Sequence, residues 1–142
     1  MTIAAILQSR SGDVISVDPD MSVRAVVQIL AEKRIGAVPV LQGGRVVGIF
    51  SERDVIYRLG AEGPVMLDRK VGEVMTSPAL TVERSTPILS ALALMTQRRI
   101  RHLPVVEGET MVGLVSIGDL VKLRIDRIEA EAEAMRLYIA GN

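Results

Sequence analysis

The feature that most constrains how this sequence can fold is an internal repeat that extends over 40 positions without a gap. Residues 17–56 align with residues 82–121, and every residue of the second repeat lies 65 positions after its partner. This repeat predicts two equivalent units in the 142 residues, forming either one compact unit or two small subdomains with a shared core. We divide the chain into residues 1–70, with the N-terminal segment and the linker, and residues 71–142, with the C-terminal extension. The ten identical pairs are Val17/Val82, Arg34/Arg99, Ile35/Ile100, Pro39/Pro104, Val40/Val105, Gly43/Gly108, Val47/Val112, Gly48/Gly113, Ser51/Ser116 and Asp54/Asp119.

Each repeat is predicted to contain an extended segment, a helix, two strands and a second helix. In the first repeat, residues 14–17 are rich in β-branched side chains, which favours an extended conformation. Ser22 precedes apolar residues that recur at helical spacing from Val23 to Leu30, so Ser22 is the predicted N-cap of an amphipathic helix. The other predicted elements of this repeat are strands at 37–41 and 45–50, a hairpin loop at 42–44, and a helix that Ser51 caps and that ends near Leu59.

The segments around the two repeats are predicted to be short helices, turns and a linker. Residues 3–7 form a short helix that is followed by a turn at residues 8–13. The glycine and proline residues in the segment 60–70 predict a linker, and residues 71–75 are predicted to form another short helix. Thr86, with a proline after it, is the predicted N-cap of the first helix of the second repeat.

The last helix is predicted to be longer than its counterpart in the first repeat. Its apolar residues alternate at steps of four and three, which is the heptad pattern of a coiled coil, and charged residues flank them. This seam predicts either a contact with another chain or a helix that folds back onto its own domain. The seam consists of Val121, Ile125, Ile128, Ala132, Met135 and Ile139.

Composition excludes several functional classes. The chain has no cysteine and only one histidine, His102, so disulfides, thiolate metal sites and multi-histidine zinc sites within one chain are excluded. Its 17 basic residues balance its 17 acidic residues, and aromatic residues are scarce, which disfavours nucleic acid and anionic membranes as partners. No apolar run approaches the roughly 18 residues of a membrane span. We therefore expect a cytoplasmic protein with an aliphatic core.

The strongest local motif is Ser-x-x-Asp, which starts the second helix of both repeats. The pairs are Ser51 with Asp54 and Ser116 with Asp119. This spacing is that of a helix capping box, in which the two residues satisfy each other's backbone N–H groups. A carboxylate in this position can also accept hydrogen bonds from neighbouring hydroxyl groups of a ligand. The motif by itself does not separate a cap from a ligand site.

The same residues carry a resemblance to cystathionine-β-synthase-type (CBS) domains. Residues 48–54 read Gly-Ile-Phe-Ser-Glu-Arg-Asp and residues 113–119 read Gly-Leu-Val-Ser-Ile-Gly-Asp, and in each repeat a strand with Pro-Val precedes the motif. With two repeats, the chain resembles a stand-alone CBS pair, or Bateman module, over roughly residues 14–123. The resemblance implies an α+β fold in which two pseudo-twofold-related repeats pack their sheets together, with the C-terminal helix as an extension.

The resemblance also implies sites for an adenine nucleotide. It assigns Ser51, Asp54, Ser116 and Asp119 to the ribose, Ile15, Ser16, Leu80 and Thr81 to the adenine slot, and Arg53, Arg101 and His102 to the phosphates. Arg98 and Arg99 are interpreted instead as cations that favour a helix C-terminus. Because Arg101 and His102 have no basic counterpart in the first repeat, we predict that the two sites differ in ligand or affinity.

The leading functional prediction is a regulatory module that binds AMP, ADP, ATP or NAD in clefts between the repeats. It would form a homodimer and signal to a protein partner by a conformational change. An S-adenosylmethionine sensor and a nucleotide-free dimeric adaptor are the alternatives. We predict no enzymatic activity, because the sequence has no cysteine nucleophile, no phosphate-binding glycine loop and no metal-ligand set.

Overall fold

The computed structural model describes residues 1–10 and 14–141. In this part of the chain each repeat contributes a helix, a β-hairpin and a second helix, which confirms the α+β fold with two repeats and a long C-terminal helix. A 3₁₀ turn covers Pro64–Asp68. The helices are α1 (Ile3–Gln8), α2 (Val23–Lys33), α3 (Glu52–Glu62), α4 (Val71–Val74), α5 (Ile88–Arg98) and α6 (Ile117–Ala140), and the strands are β1 (Ala37–Gln42), β2 (Arg45–Ser51), β3 (His102–Glu107) and β4 (Thr110–Ser116).

The two hairpins join into one antiparallel sheet with the strand order β1-β2-β4-β3. The turn of the first hairpin consists of Gly43 and Gly44, whose φ angles of 60° and 80° are the positive values that a tight hairpin needs. Arg45 pairs with Thr110 where β2 meets β4, and Met111 N–H donates to the Gly44 carbonyl at 3.2 Å. The two hairpins are therefore joined into one sheet by a short contact beside their turns.

Each repeat has its own apolar core. The first core contains Val23 and Val26 of α2 and Phe50 of β2, all fully buried. The second core contains Met95 of α5 and Leu120 of α6, which are also buried. Burial of these apolar side chains is the main force that holds each repeat together.

The short helices cross over between the two cores. Val71 and Val74 of α4 pack into the first core, although they precede the second repeat in sequence. Ile3 and Ile6 of α1 pack into the second core, and Ile3 N–H donates to the Thr86 carbonyl at 3.0 Å. The repeats therefore interlock, because each core contains the short helix that precedes the other repeat in sequence.

The segment between the repeats is more ordered than the sequence predicts. α3 does not stop near Leu59 but continues through Gly60 to Glu62, and the 3₁₀ turn follows where a linker was expected. Arg69 donates to Glu62 at 2.6 Å, which ties the end of α3 to the following segment. Gly63, with a φ of 76°, then ends the helix.

The predicted helix caps have different outcomes. Ser22 caps α2 as predicted and accepts a hydrogen bond from Ala25 N–H at 3.1 Å. The prediction that Thr86 caps α5 is wrong, because its hydroxyl accepts from Glu83 N–H at 3.0 Å and stabilises the preceding turn instead. The predicted turn at residues 8–13 lies partly outside the described residues.

α6 is the longest helix of the described chain and leaves its domain after about two turns. Leu120 is fully buried and Leu123 packs against the second core. All six seam residues from Val121 to Ile139 are exposed, so the alternative in which the seam folds back onto its own domain is wrong. Within residues 1–10 and 14–141, no helix is both long and apolar enough to cross a lipid bilayer.

Candidate functional site

Both Ser-x-x-Asp pairs form capping boxes. Ser51 N–H donates to Asp54 Oδ2 at 2.9 Å, and Asp54 N–H donates to Ser51 Oγ at 3.3 Å. Ser116 and Asp119 repeat these two bonds at 2.7 Å and 3.2 Å. The capping interpretation is therefore confirmed. Each pair also lines a cleft, so its polar atoms face space that a ligand could enter.

The first cleft lies between the start of α3 and residues of the second repeat, and its volume is about 360 Å³. Asp54 stands at one wall, where Thr76 Oγ donates to its Oδ1 at 3.2 Å. The volume lies within the usual range for small-molecule sites, which combine apolar walls with a few fixed polar groups. The apolar walls consist of Ala37, Ile49, Tyr57, Pro78, Leu80 and Ile100.

Arginine side chains from both repeats line the same cleft. Arg53 comes from α3, while Arg99 and Arg101 precede β3. Arg53 Nη1 donates to the Arg99 carbonyl at 3.0 Å, which bridges the two repeats. Arg99 ends α5 in a left-handed conformation with a φ of 53°. The first cleft therefore combines a carboxylate, an apolar slot and guanidinium groups that could bind a phosphate.

The second cleft has a similar volume, about 420 Å³, but a different electrostatic character. The Arg10 guanidinium forms an ion pair with Asp119 and donates to the Leu114 carbonyl. Partial burial acts to raise the pKa of Asp119, but hydrogen bonds from Arg10 and Ser116 outweigh it and hold that pKa below its ordinary value. In the second cleft the Asp119 carboxylate is therefore already paired with a cation of this chain, the Arg10 guanidinium. In the first cleft the Asp54 carboxylate accepts a hydrogen bond from the neutral Thr76 hydroxyl.

His102 lies between the two clefts and lines both of them. Burial lowers its pKa below the ordinary histidine value, against the opposing effect of the Glu52 and Asp119 carboxylates. The lowered pKa favours the neutral form of the imidazole, and the contact of His102 with a phosphate stays a prediction. A methyl group at Gly36 would lie 3.3 Å from His102 Cε1, so this glycine allows the two repeats to pack closely.

The structure brings most of the sequence-predicted site residues to one cleft or the other. Ser16 and Thr81 are exposed and line neither of the two clefts. The predicted residues at the first cleft are Ser51, Arg53, Asp54, Leu80, Arg101 and His102, and those at the second are Ile15, His102, Ser116 and Asp119.

Several residues at the clefts were missed in the sequence. Tyr57 could have been found, because it lies three residues after Asp54 and so on the same face of α3. Arg99 was interpreted as a helix-end cation, and it is both the helix C-cap and part of the cleft lining. Thr76 and Arg10 gave no local signal, because they reach the clefts only through the crossing of α4 and α1. Among the described residues, no group of histidine and acidic side chains could hold a metal ion.

Comparison with known proteins gives the class that this fold and these paired clefts define. The CBS domain matches residues 5–61 and again residues 71–126, one match for each repeat. The chain therefore belongs to the CBS-domain family and carries two CBS domains.

Three relatives show how far the similarity extends. The mitochondrial CBS domain-containing protein CBSX3 of Arabidopsis thaliana is 32% identical over 99% of this chain and 72% of its own length. The crystal structure of the CBS-domain-containing protein ATU1752 from Agrobacterium tumefaciens has a TM-score of 0.82 and 34% identity, covering 87% of this chain and 99% of that one. The crystal structure of CBSX2 in complex with AMP has a TM-score of 0.74 and 25% identity, covering 88% of this chain and 96% of that one. None of the three is named as an enzyme, and because CBSX3 is named as mitochondrial, a cytoplasmic location for this chain stays a prediction.

Proposed function

We propose that this chain is a regulatory module that binds an adenine nucleotide, AMP in the first instance, in the first cleft. The observation that carries the proposal is the combination in one cleft of the Asp54 carboxylate, apolar walls and arginine side chains from both repeats. An adenine nucleotide has the matching parts, namely a ribose diol, an apolar flat base and a phosphate. The complex of CBSX2 with AMP supports the choice of ligand.

In this proposal each part of the first cleft has a separate role. Asp54 accepts hydrogen bonds from the ribose hydroxyls, and one of them replaces Thr76 Oγ as the donor to Oδ1. Leu80 and Ile100 bind the base through apolar contact. Arg101, with Arg53 beside it, binds the phosphate, because guanidinium groups make paired hydrogen bonds with phosphate oxygens.

The same proposal makes the two clefts unequal. In the second cleft a ligand ribose would have to displace the Arg10 guanidinium from Asp119, and the Arg10 hydrogen bond that helps to lower the pKa of Asp119 would be lost. In the first cleft it displaces only a neutral hydroxyl. We therefore infer one nucleotide per chain at ordinary concentrations, bound in the first cleft.

A regulatory role requires that binding changes the relation of the two repeats. The first cleft is lined by both repeats, and the Arg53 to Arg99 bond joins them beside it. A phosphate that binds Arg53 and Arg101 competes with this bond and favours a different angle between the repeats. We propose that a protein partner detects this change, that the module is a homodimer, and that it has no catalytic activity of its own.

Isothermal titration calorimetry with AMP, ADP, ATP, NAD and S-adenosylmethionine tests the proposal. Wild type is expected to bind AMP with a stoichiometry near one, and Asp54→Ala to lose most of that affinity. Asp119→Ala is the matched control, because it removes the equivalent capping carboxylate from the other cleft. Loss of a cap typically costs about 1 kcal/mol of stability, so thermal melts should show that both variants remain folded.

Two outcomes would favour other functions. Binding of S-adenosylmethionine in preference to AMP would favour the sensor alternative. The absence of binding with all five compounds would leave the Ser-x-x-Asp pairs as helix caps alone. The chain would then be better explained as a dimeric adaptor.

A further inference from the structure

We propose that the exposed seam of α6 pairs with the same seam of a second copy of this chain, parallel and in register. The inference specifies the homodimer of the proposed function and rests on that part of it, but it does not depend on the nucleotide. The apolar residues of the seam are large and exposed: Val121 is 41% exposed, Ile125 48%, Ile128 48%, Met135 58% and Ile139 66%. Ala132 lies among them and is also exposed.

The position of the seam on the helix allows such a contact. One residue turns an α-helix by about 100°, so Val121 lies roughly a quarter turn from Leu120, which is buried in its own domain. From residue 125 onward every residue of α6 is exposed. Two chains can therefore bring their seams together without removing α6 from its own core.

Charges beside the seam favour the parallel arrangement. The seven residues of a coiled-coil heptad are lettered a to g, and the apolar seam consists of positions a and d. In a parallel coiled coil, the g residue just before each a position lies near the e residue five places further along the other helix. With Ile125 as an a position, Arg124 then faces Glu129 of the second chain, and Glu131 faces Arg136 of the second chain. The twofold axis repeats both contacts, so every charged pair of this kind is attractive.

The antiparallel arrangement gives the opposite result. Full overlap of the seams would place Val121 against Ile139 of the second chain and would bring Glu129 and Glu131 of both chains together at the centre. Lys122 would lie near Arg136 of the second chain. Like charges at these flanking positions disfavour a coiled coil, so the charge pattern selects the parallel pair.

Existing ion pairs leave these charges available. Glu131 pairs with Arg127 of its own helix at 3.2 Å, and Arg136 pairs with Glu133 at 3.2 Å. Both are exposed pairs within one helix, which contribute little and can be exchanged or shared at low cost. The seam spans nearly three heptads, so we expect a concentration-dependent dimer.

Cysteine cross-linking tests the arrangement directly, because the full chain contains no cysteine of its own. Ile125→Cys places two thiols opposite each other only in the parallel register, within the distance that a disulfide can span. Leu137→Cys is the matched control, since Leu137 is 65% exposed but lies on the far side of the helix from the seam. Under mild oxidation, Ile125→Cys is expected to give a covalent dimer and Leu137→Cys is not.

Three cross-linking results would overturn the proposal. These are equal cross-linking of both variants, no cross-linking of Ile125→Cys, and a covalent dimer that forms only when Ile125→Cys is mixed with Met135→Cys, which would indicate antiparallel helices. The nucleotide titration is independent of all three, so failure of the dimer and failure of nucleotide binding can be told apart.

Charge reversal provides a second test by sedimentation equilibrium. Glu129→Arg should raise the dimer dissociation constant by about fivefold, because two attractive pairs become repulsive. Adding Arg124→Glu should restore the affinity, since the signs are then only exchanged. A double variant that dimerises no better than Glu129→Arg alone would contradict the parallel pairing.

Discussion

Replacing Gly48 with alanine should destabilise the protein and weaken nucleotide binding in the first cleft at the same time. A Cβ at Gly48 would lie 2.4 Å from Met75 Sδ and 2.8 Å from the Thr76 carbonyl oxygen. The methionine side chain can move, but the carbonyl is held in place. Ile49 N–H donates to it at 3.0 Å, and Thr76 N–H donates to the Ile49 carbonyl at 2.9 Å. The backbone at Thr76 must therefore shift by several tenths of an ångström.

The second repeat contains a matched control for this substitution. A Cβ at Gly113 would lie 2.6 Å from Leu7 Cδ2, so the obstacle there is the end of one side chain. Overpacking typically costs about 1–3 kcal/mol, and removing a glycine from a strand returns about 0.5–1 kcal/mol. We expect Gly48→Ala to lose about 1–2 kcal/mol of unfolding free energy and Gly113→Ala to lose less than about 1 kcal/mol. For a chain of this length, the Gly48→Ala loss lowers the melting temperature by roughly 3–6 °C.

Urea unfolding of wild type and the two variants measures the cost, and titration with AMP measures the effect on the cleft. Gly48→Ala should bind AMP more weakly, because Thr76 and the cleft residue Pro78 move with the backbone. Gly113→Ala should bind AMP as wild type does. If Gly48→Ala is as stable as wild type, or if both variants lose the same stability, the close approach of the Thr76 backbone is not what requires glycine in β2.

Two other substitutions test the electrostatics of the clefts. Arg10→Ala should free the Asp119 carboxylate and raise the calorimetric stoichiometry for AMP from near one toward two; a stoichiometry that stays at one would contradict the role given to Arg10. For His102, burial lowers the pKa in the folded state, so the unfolded chain binds the proton more readily and wild-type stability should fall as the pH drops below about 6.5. In urea unfolding, His102→Gln should lose less stability than wild type between pH 7.5 and pH 5.5. The lowered pKa of Asp119 affects stability only below about pH 4, so Asp119 does not contribute in this pH range. An equal loss of stability in both proteins would exclude His102 as the cause.

Local patterns predicted most of the fold because they report interactions between residues that are close in sequence. The spacing of apolar residues after Ser22 gave α2 with its cap, and the two glycines after Gln42 gave the first hairpin turn. The predicted C-terminal end of α3, near Leu59, was wrong, because the helix continues to Glu62. Gly60 is a weak helix former, but the salt bridges from Arg58 and Arg69 to Glu62 stabilise one more turn. Arg69 lies beyond the helix, so its contribution is not visible in the local pattern.

The candidate site was predicted only in part, for the same physical reason. Asp54 and Asp119 follow from the repeated motif, and their capping bonds join residues three apart. Thr76 reaches Asp54 from 22 positions away, and Arg10 reaches the Leu114 carbonyl across 104 positions. Such contacts depend on which core each short helix enters, and the repeat by itself does not specify that exchange.

The sequence by itself determined that this protein has two equivalent CBS repeats, two capped Ser-x-x-Asp motifs and a C-terminal helix with an apolar seam. These features depend on periodicity, turn residues and spacing, which are properties of short segments. Only the tertiary structure decided that α1 and α4 exchange cores, that Arg10 lies on Asp119 while Thr76 lies on Asp54, and that the seam of α6 is exposed. The physical reason is that equal repeats have equal local preferences. The segments that enter them from outside differ, so the tertiary structure adds Arg10 and Thr76 to the difference between the clefts that Arg101 and His102 already indicate in the sequence.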